Sequence, residues 1–150
     1  MNKAIEVFNE IEQKIYKDEN GKFVNRYFLN KTLFDLYNRN EGLAQKHLLQ
    51  AFEVLEKENN ITSIAKEYWW KRFGSVVLDL GYGSWLLSIL ENEGYDIVLS
   101  PYYTAIQALE IEKQDSKNGQ RDAEIYLKNR AIEISDPARI IIERIRKYMD

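Results

Sequence analysis

The chain contains one histidine, His47, and no cysteine, so few reactions are open to its side chains. Without thiols there is no thiolate zinc site, disulfide or cysteine nucleophile, and a single imidazole cannot build a histidine metal cluster. His47 stands four residues after Leu43 and four before Ala51. At the edge of an apolar helical stripe it is expected to be a boundary residue without chemistry. A metal would have to be held by carboxylates alone. Asp18, Asn20 and Gly21 lack the spacing of a calcium loop, and Glu91, Glu93 and Asp96 gather at one turn with no matching second cluster. The expectation is a non-catalytic protein with no resident metal or cofactor.

Residues suited to recognition are more plentiful. Tyr68-Trp69-Trp70-Lys71-Arg72-Phe73 sets two bases among four aromatics, and Trp, Tyr and Arg are the types enriched at binding hot spots. On a helix Trp69 and Phe73 share one face while Trp70 points about 100° away, so at least one aromatic face belongs to the core. Charge is uneven as well. Residues 76–116 carry seven acids against Lys113, whereas 117–150 carry eight bases against six acids. An acidic centre offers steering charge to a partner. The residues expected to contact that partner are Trp69, Trp70, Lys71 and Arg72 together with Glu91, Glu93 and Asp96. Arg139, Arg144, Arg146 and Lys147 make the last helix basic, which complements its dipole. A helix-turn-helix reading would aim Gln45, Lys46 and Gln50 at DNA, but Glu41, Glu53, Glu56 and Glu58 on the same segment and the net charge of −3 argue against nucleic acid.

The stretch Val77-Leu78-Asp79-Leu80-Gly81-Tyr82-Gly83, followed at helical length by Gly94-Tyr95-Asp96-Ile97-Val98, resembles the first motif of S-adenosylmethionine-dependent methyltransferases. The resemblance implies a strand ending in D-x-G-x-G, with Asp79, Gly81 and Gly83 at the cofactor and the glycines letting backbone approach it. It covers residues 77–98 only. Ser84-Trp85 follows where the family closes its motif with a third glycine, and Pro101 falls where the second strand ends in an acid. A helical reading uses the same letters differently. Gly74, Gly81 and Gly83 become close-packing points or breaks between helices, Asp79 a cap or surface acid, and Val76, Val77, Leu80, Leu86, Leu87 and Leu90 core. Glu91-Asn92-Glu93-Gly94 is then a helix end with a left-handed glycine. The helical reading is adopted and the cofactor reading kept as its rival.

These groups must be carried by a fold that 150 residues, 45% of them hydrophobic, can build around one core. Ala4, Ile5, Phe8, Ile11 and Ile15 predict a helix over 3–17. Phe23, Tyr27, Phe28, Leu33, Phe34 and Tyr37 predict another over 23–38. Asn40 is expected to cap a third, with Ala44, Leu48, Ala51, Phe52 and Leu55 as its stripe. Thr62 or Ser63 is expected to cap a fourth through Phe73. Ser100-Pro101 starts a helix to about Gln114, with Ser as the cap and Pro in its first turn. Asn118-Gly119 breaks the chain, Arg121 to about Ile134 resumes, and Asp136-Pro137 starts a last helix with Ile141, Ile142, Ile145 and Met149 inward. The expected fold is all-α, a compact bundle of six to eight helices forming one domain over 1–150. The alternative is α/β, with 75–80, 96–99 and 131–134 as a small three-stranded parallel sheet in the C-terminal half. Neither a signal peptide nor a membrane span is visible, and the expected address is the cytoplasm. The expected partner is another protein, of the kind met by immunity proteins, antitoxins and phage-encoded inhibitors, with a homodimer left open.

Overall fold

Apolar spacing of three and four residues becomes helix wherever the chain is described, which in this computed structural model is residues 21–57, 61, 64 and 68–149. Among the described residues there are eight helices and no strand: α1 (Gly21–Tyr37), α2 (Glu41–Lys57), α3 (Tyr68–Asp79), α4 (Gly83–Asn92), α5 (Tyr95–Val98), α6 (Ser100–Gln114), α7 (Gly119–Lys128) and α8 (Ile132–Tyr148). The fold is all-α. The three β-branched runs offered as strands lie in α3, in α5 and at the start of α8, so the parallel sheet is ruled out there. The helix expected over 3–17, the side chain of Phe23 and the Thr62 or Ser63 cap lie outside the described residues. Contacts divide the chain into two compact units, Met1–Ile61 and Thr62–Asp150.

In the N-terminal unit α1 packs on α2. Their shared face mixes apolar and polar groups. Tyr27, Phe28, Leu29, Leu36, Ala44, Leu48, Ala51, Phe52 and Leu55 are buried beside Asn25, Thr32, Asp35 and His47. Each of these polar groups has a partner: Asn25 donates to the Ala51 carbonyl at 2.9 Å and Thr32 to that of Phe28 at 2.7 Å. His47 is not the boundary residue its spacing suggested, for its Nδ1 lies 2.5 Å from Asp35 Oδ2 with both residues 6% exposed. Tyr37, expected inside, is 67% exposed, and Leu36 takes the core position. The turn between the helices closes as a Schellman motif. Arg39 is left-handed at φ 56°, its N–H bonds the Leu36 carbonyl and that of Asn40 bonds Asp35. Asn40 caps α2 as expected, accepting from the Leu43 N–H at 3.2 Å.

In the C-terminal unit α6 packs against α3, α4, α5, α7 and α8. Trp70, Phe73, Tyr102 and Ile106 are at most 1% exposed, and the Tyr102 hydroxyl donates to the Trp70 carbonyl at 2.8 Å. Burial pushes that phenol far above its ordinary pKa. The start of α6 falls at Ser100-Pro101, yet Ser100 is already helical and makes no cap bond. The Asp136-Pro137 start is displaced further. α7 ends at Lys128 and α8 begins at Ile132, so Pro137 sits inside the helix, where it has no N–H to offer the Glu133 carbonyl.

Gly119 opens α7 against α6, and a Cβ there would stand 2.2 Å from the Glu112 carbonyl oxygen. Because backbone cannot yield as a side chain does, Gly119→Ala is expected to cost about 1–3 kcal/mol or more. Gly42→Ala, which meets nothing closer than 3.8 Å, should leave urea unfolding unchanged or slightly later. Asp35→Ala should cost roughly 1–3 kcal/mol by leaving buried His47 without its acceptor; an unmoved urea midpoint would refute the structural weight given to the pair.

Candidate functional site

Positions 68 and 72 of α3 lie one helical turn apart and share a face, with 69 at its edge beside Phe73. That face is the exposed side of the helix whose opposite side, Trp70, Phe73, Val77 and Leu78, is core. Trp70 is therefore corrected: at 0% exposure it cannot touch a partner, because the α3 core stripe claims it. Tyr68 and Trp69 remain 48% and 37% exposed, with ring centroids 4.9 Å apart at 84°. Tyr148, from the last turn of α8, meets Tyr68 at 5.2 Å and 79°. Arg72 binds this ring set in place: its Nη1 donates to the Tyr148 carbonyl at 3.1 Å and its guanidinium lies 5.7 Å from that ring's centroid. The bond also satisfies a carbonyl at the open end of α8. Lys71 is half-buried.

The acids of the expected surface stand elsewhere. Glu91 and Glu93 are exposed at the end of α4 and Asp96 is half-buried in α5. Glu91 accepts from the Tyr103 hydroxyl at 2.5 Å. Desolvation first, and then that carboxylate, hold the Tyr103 phenol well above its usual range. Glu91 joins α4 to α6, while the aromatic group joins α3 to α8. Sequence reasoning missed Tyr68 and Tyr148 as members of the surface. Their signal was Tyr148 standing on the same helical side as Arg144, four residues back, which has meaning only once α8 is known to meet α3.

Asp79, Gly81 and Gly83 form a helix end rather than a cofactor cradle. Asp79 is exposed at the last position of α3, and Gly81 follows at φ 85° with its N–H on the Leu78 carbonyl, while Tyr82 bonds Val77. This is a Schellman C-cap, for which glycine is the ordinary choice. The Lys113 ammonium, reaching from α6, donates to the same Leu78 carbonyl. The space at Gly83 is filled by the Glu110 carboxylate, which also accepts from Ser84 at 3.2 Å. Val76 and Leu80, expected in the core, are half-buried; Leu86, Leu87 and Leu90 are buried. Gly94, at φ 77°, is the left-handed glycine after α4.

Gln45 and Lys46 are exposed on α2, and Gln50 is half-buried. A cleft of about 190 Å³ lies among α6, α7 and α8, floored by Leu109, Leu127 and Ile142 and rimmed by ion pairs. Arg139 donates to both oxygens of Glu124 at 2.8 Å, and Arg146 pairs with Glu112 and Glu143. The volume is below the roughly 300–1,000 Å³ usual for small-molecule pockets. Among the described residues no three His, Asp or Glu side chains come together to hold a metal, and no helix is long and apolar enough to cross a membrane. No protein family, curated protein or solved structure matches the chain.

Two carboxylates near α7 are held below their ordinary range. Asp115 is held there by the backbone N–H groups of Asn118 and Lys117, Glu124 by the hydrogen bonds and charge of Arg139. A lowered folded pKa contributes stability above the ordinary carboxylate range, and that contribution is lost as pH falls through the folded value. Unfolding midpoints of the wild type should therefore drop on acidification below about pH 4. Asp115→Ala and Glu124→Gln should lose stability at neutral pH and show a flatter acid limb. Acid limbs parallel to the wild type would contradict the assignment.

Proposed function

We propose that this chain is a protein-binding module of the inhibitory type represented by immunity proteins, antitoxins and phage-encoded inhibitors, engaging its partner through Tyr68, Trp69, Arg72 and Tyr148. The observation that carries the reading is the ring cluster itself. Three exposed or half-exposed aromatics stand in successive edge-to-face contacts beside an arginine already held by the Tyr148 carbonyl. Side chains ordered before binding lose little freedom on association, and Trp, Tyr and Arg are the residues that most often dominate an interface. Glu91, Glu93 and Asp96, on a separate turn, add steering charge. A cytoplasmic address fits a chain without cysteine.

Affinity capture from the organism that encodes the chain tests this. The wild type is expected to retain one stoichiometric protein, and Trp69→Ala to lose it by about tenfold or more, as hot-spot truncation does, while the circular dichroism melt stays close to wild type. Equal recovery of the same protein by Trp69→Ala would overturn the proposal.

A further inference from the structure

Some cations of the C-terminal unit are paired with a carboxylate, and others, exposed Lys117 and Lys128 among them, form no ion pair among the described residues. Arg139 and Arg146 are each bound to glutamate. Arg72, Arg144 and Lys147, all exposed, form no ion pair among the described residues. Of these three cations Arg72 touches the ring cluster, and the other two lie in the last turns of α8, which also carries Tyr148. Arg72 is bonded to Tyr148, Arg144 lies one turn before Tyr148 on the same side of α8, and Lys147 is its neighbour in the last turn. Complementing the α8 dipole accounts for bases in that turn. It does not account for Arg72, which comes from another helix, or for the exposed rings packed against it.

We infer that the α3–α8 face receives an acidic protein segment, its carboxylates meeting Arg72, Arg144 and Lys147 and an apolar side chain resting on Trp69 and Tyr68. The inference rests on the protein-binding reading above and adds the chemistry of the partner. Uncompensated cations beside preordered aromatics are complementary to alternating acidic and apolar side chains. Single-stranded nucleic acid uses the same residue types but asks for ring faces open to successive bases. Here the rings are set at 84° and 79° to one another, so neighbouring rings present no parallel faces.

The test is fluorescence anisotropy with three labelled probes: a peptide of repeated Glu-Glu-Leu, its Lys-Lys-Leu counterpart, and single-stranded oligothymidylate of equal length. The acidic peptide should bind at low salt about tenfold or more tighter than either rival, and weaken as salt approaches about 0.15 M. Arg144→Glu with Lys147→Glu should reduce that binding by about tenfold or more. Lys117→Glu with Lys128→Glu makes the same change in net charge away from the face and should leave binding unchanged. No binding of the acidic peptide at low salt, an equal loss in both double variants, or preference for oligothymidylate would each overturn the inference. If the captured protein partner is lost with Trp69→Ala but binds the Arg144→Glu/Lys147→Glu variant undiminished, the protein-binding reading stands and the acidic partner falls.

Discussion

A missing side chain at Gly74 lets the C-terminal unit close. A Cβ at that point would come within 2.9 Å of Ile106 Cδ1 and 3.1 Å of the Tyr102 hydroxyl, with Ile145 Cδ1 at 3.6 Å. α3 thus receives side chains from α6 and α8 at one spot. Trp70, one turn earlier, accepts the Tyr102 hydroxyl on its carbonyl and packs its ring at 6.2 Å against the same tyrosine. A polar atom and three large side chains are satisfied together, so the approach of the helices cannot slip without unpairing a buried phenol. The outer face of α3 inherits its direction from this contact. With Trp70 and Phe73 committed inward, Tyr68 and Arg72 are left outward, and Trp69 stands at the edge of the core, 37% exposed.

Helix ends elsewhere are settled by left-handed backbone and by a few side-chain acceptors. Gly81 and Gly94 both take the left-handed conformation after a helix, and Arg39 does so in the N-terminal unit despite the cost of its Cβ, about 1 kcal/mol. Asp115 holds the turn before α7 through two backbone N–H groups. These devices make short connections between successive helices, and short connections keep α3 through α6 adjacent in the order of the chain. A motif that looks like a nucleotide cradle is one of them. Its first glycine ends α3, and its second makes room for Glu110.

The charged residues of the C-terminal unit serve two ends. Pairs such as Arg139 with Glu124 and Arg146 with Glu112 tie α8 to α7 and α6 across a shallow cleft, and at such exposure each adds little stability alone. Arg144 and Lys147, without a carboxylate partner among the described residues, flank Arg146 in the last turns of α8, the helix end that carries Tyr148. Binding energy in protein interfaces is concentrated in a few rigid aromatic and arginine side chains rather than spread over area. The α3–α8 face has that composition, with its rings and arginine in mutual contact, which is why the proposed function rests there.

Local patterns in the sequence determined the helices themselves. The stripe Ala44, Leu48, Ala51, Phe52 and Leu55, the Asn40 cap, the Ser100-Pro101 start and the glycine after Glu93 depend only on neighbours a turn away, and such signals survive without knowledge of the fold. Residues whose role depends on another helix were not legible. His47 looked peripheral because Asp35, twelve positions earlier, gives no local sign of meeting it. Pro137 looked like a start because the turn at Asn129 and Arg130 carries neither glycine nor proline. Trp69 and Trp70 are the same residue type side by side. The sequence could say that they diverge by about 100°, but only the packing of α3 on α6 and α8 decided that Trp70 is buried and Trp69 exposed, since burial is a property of what lies opposite.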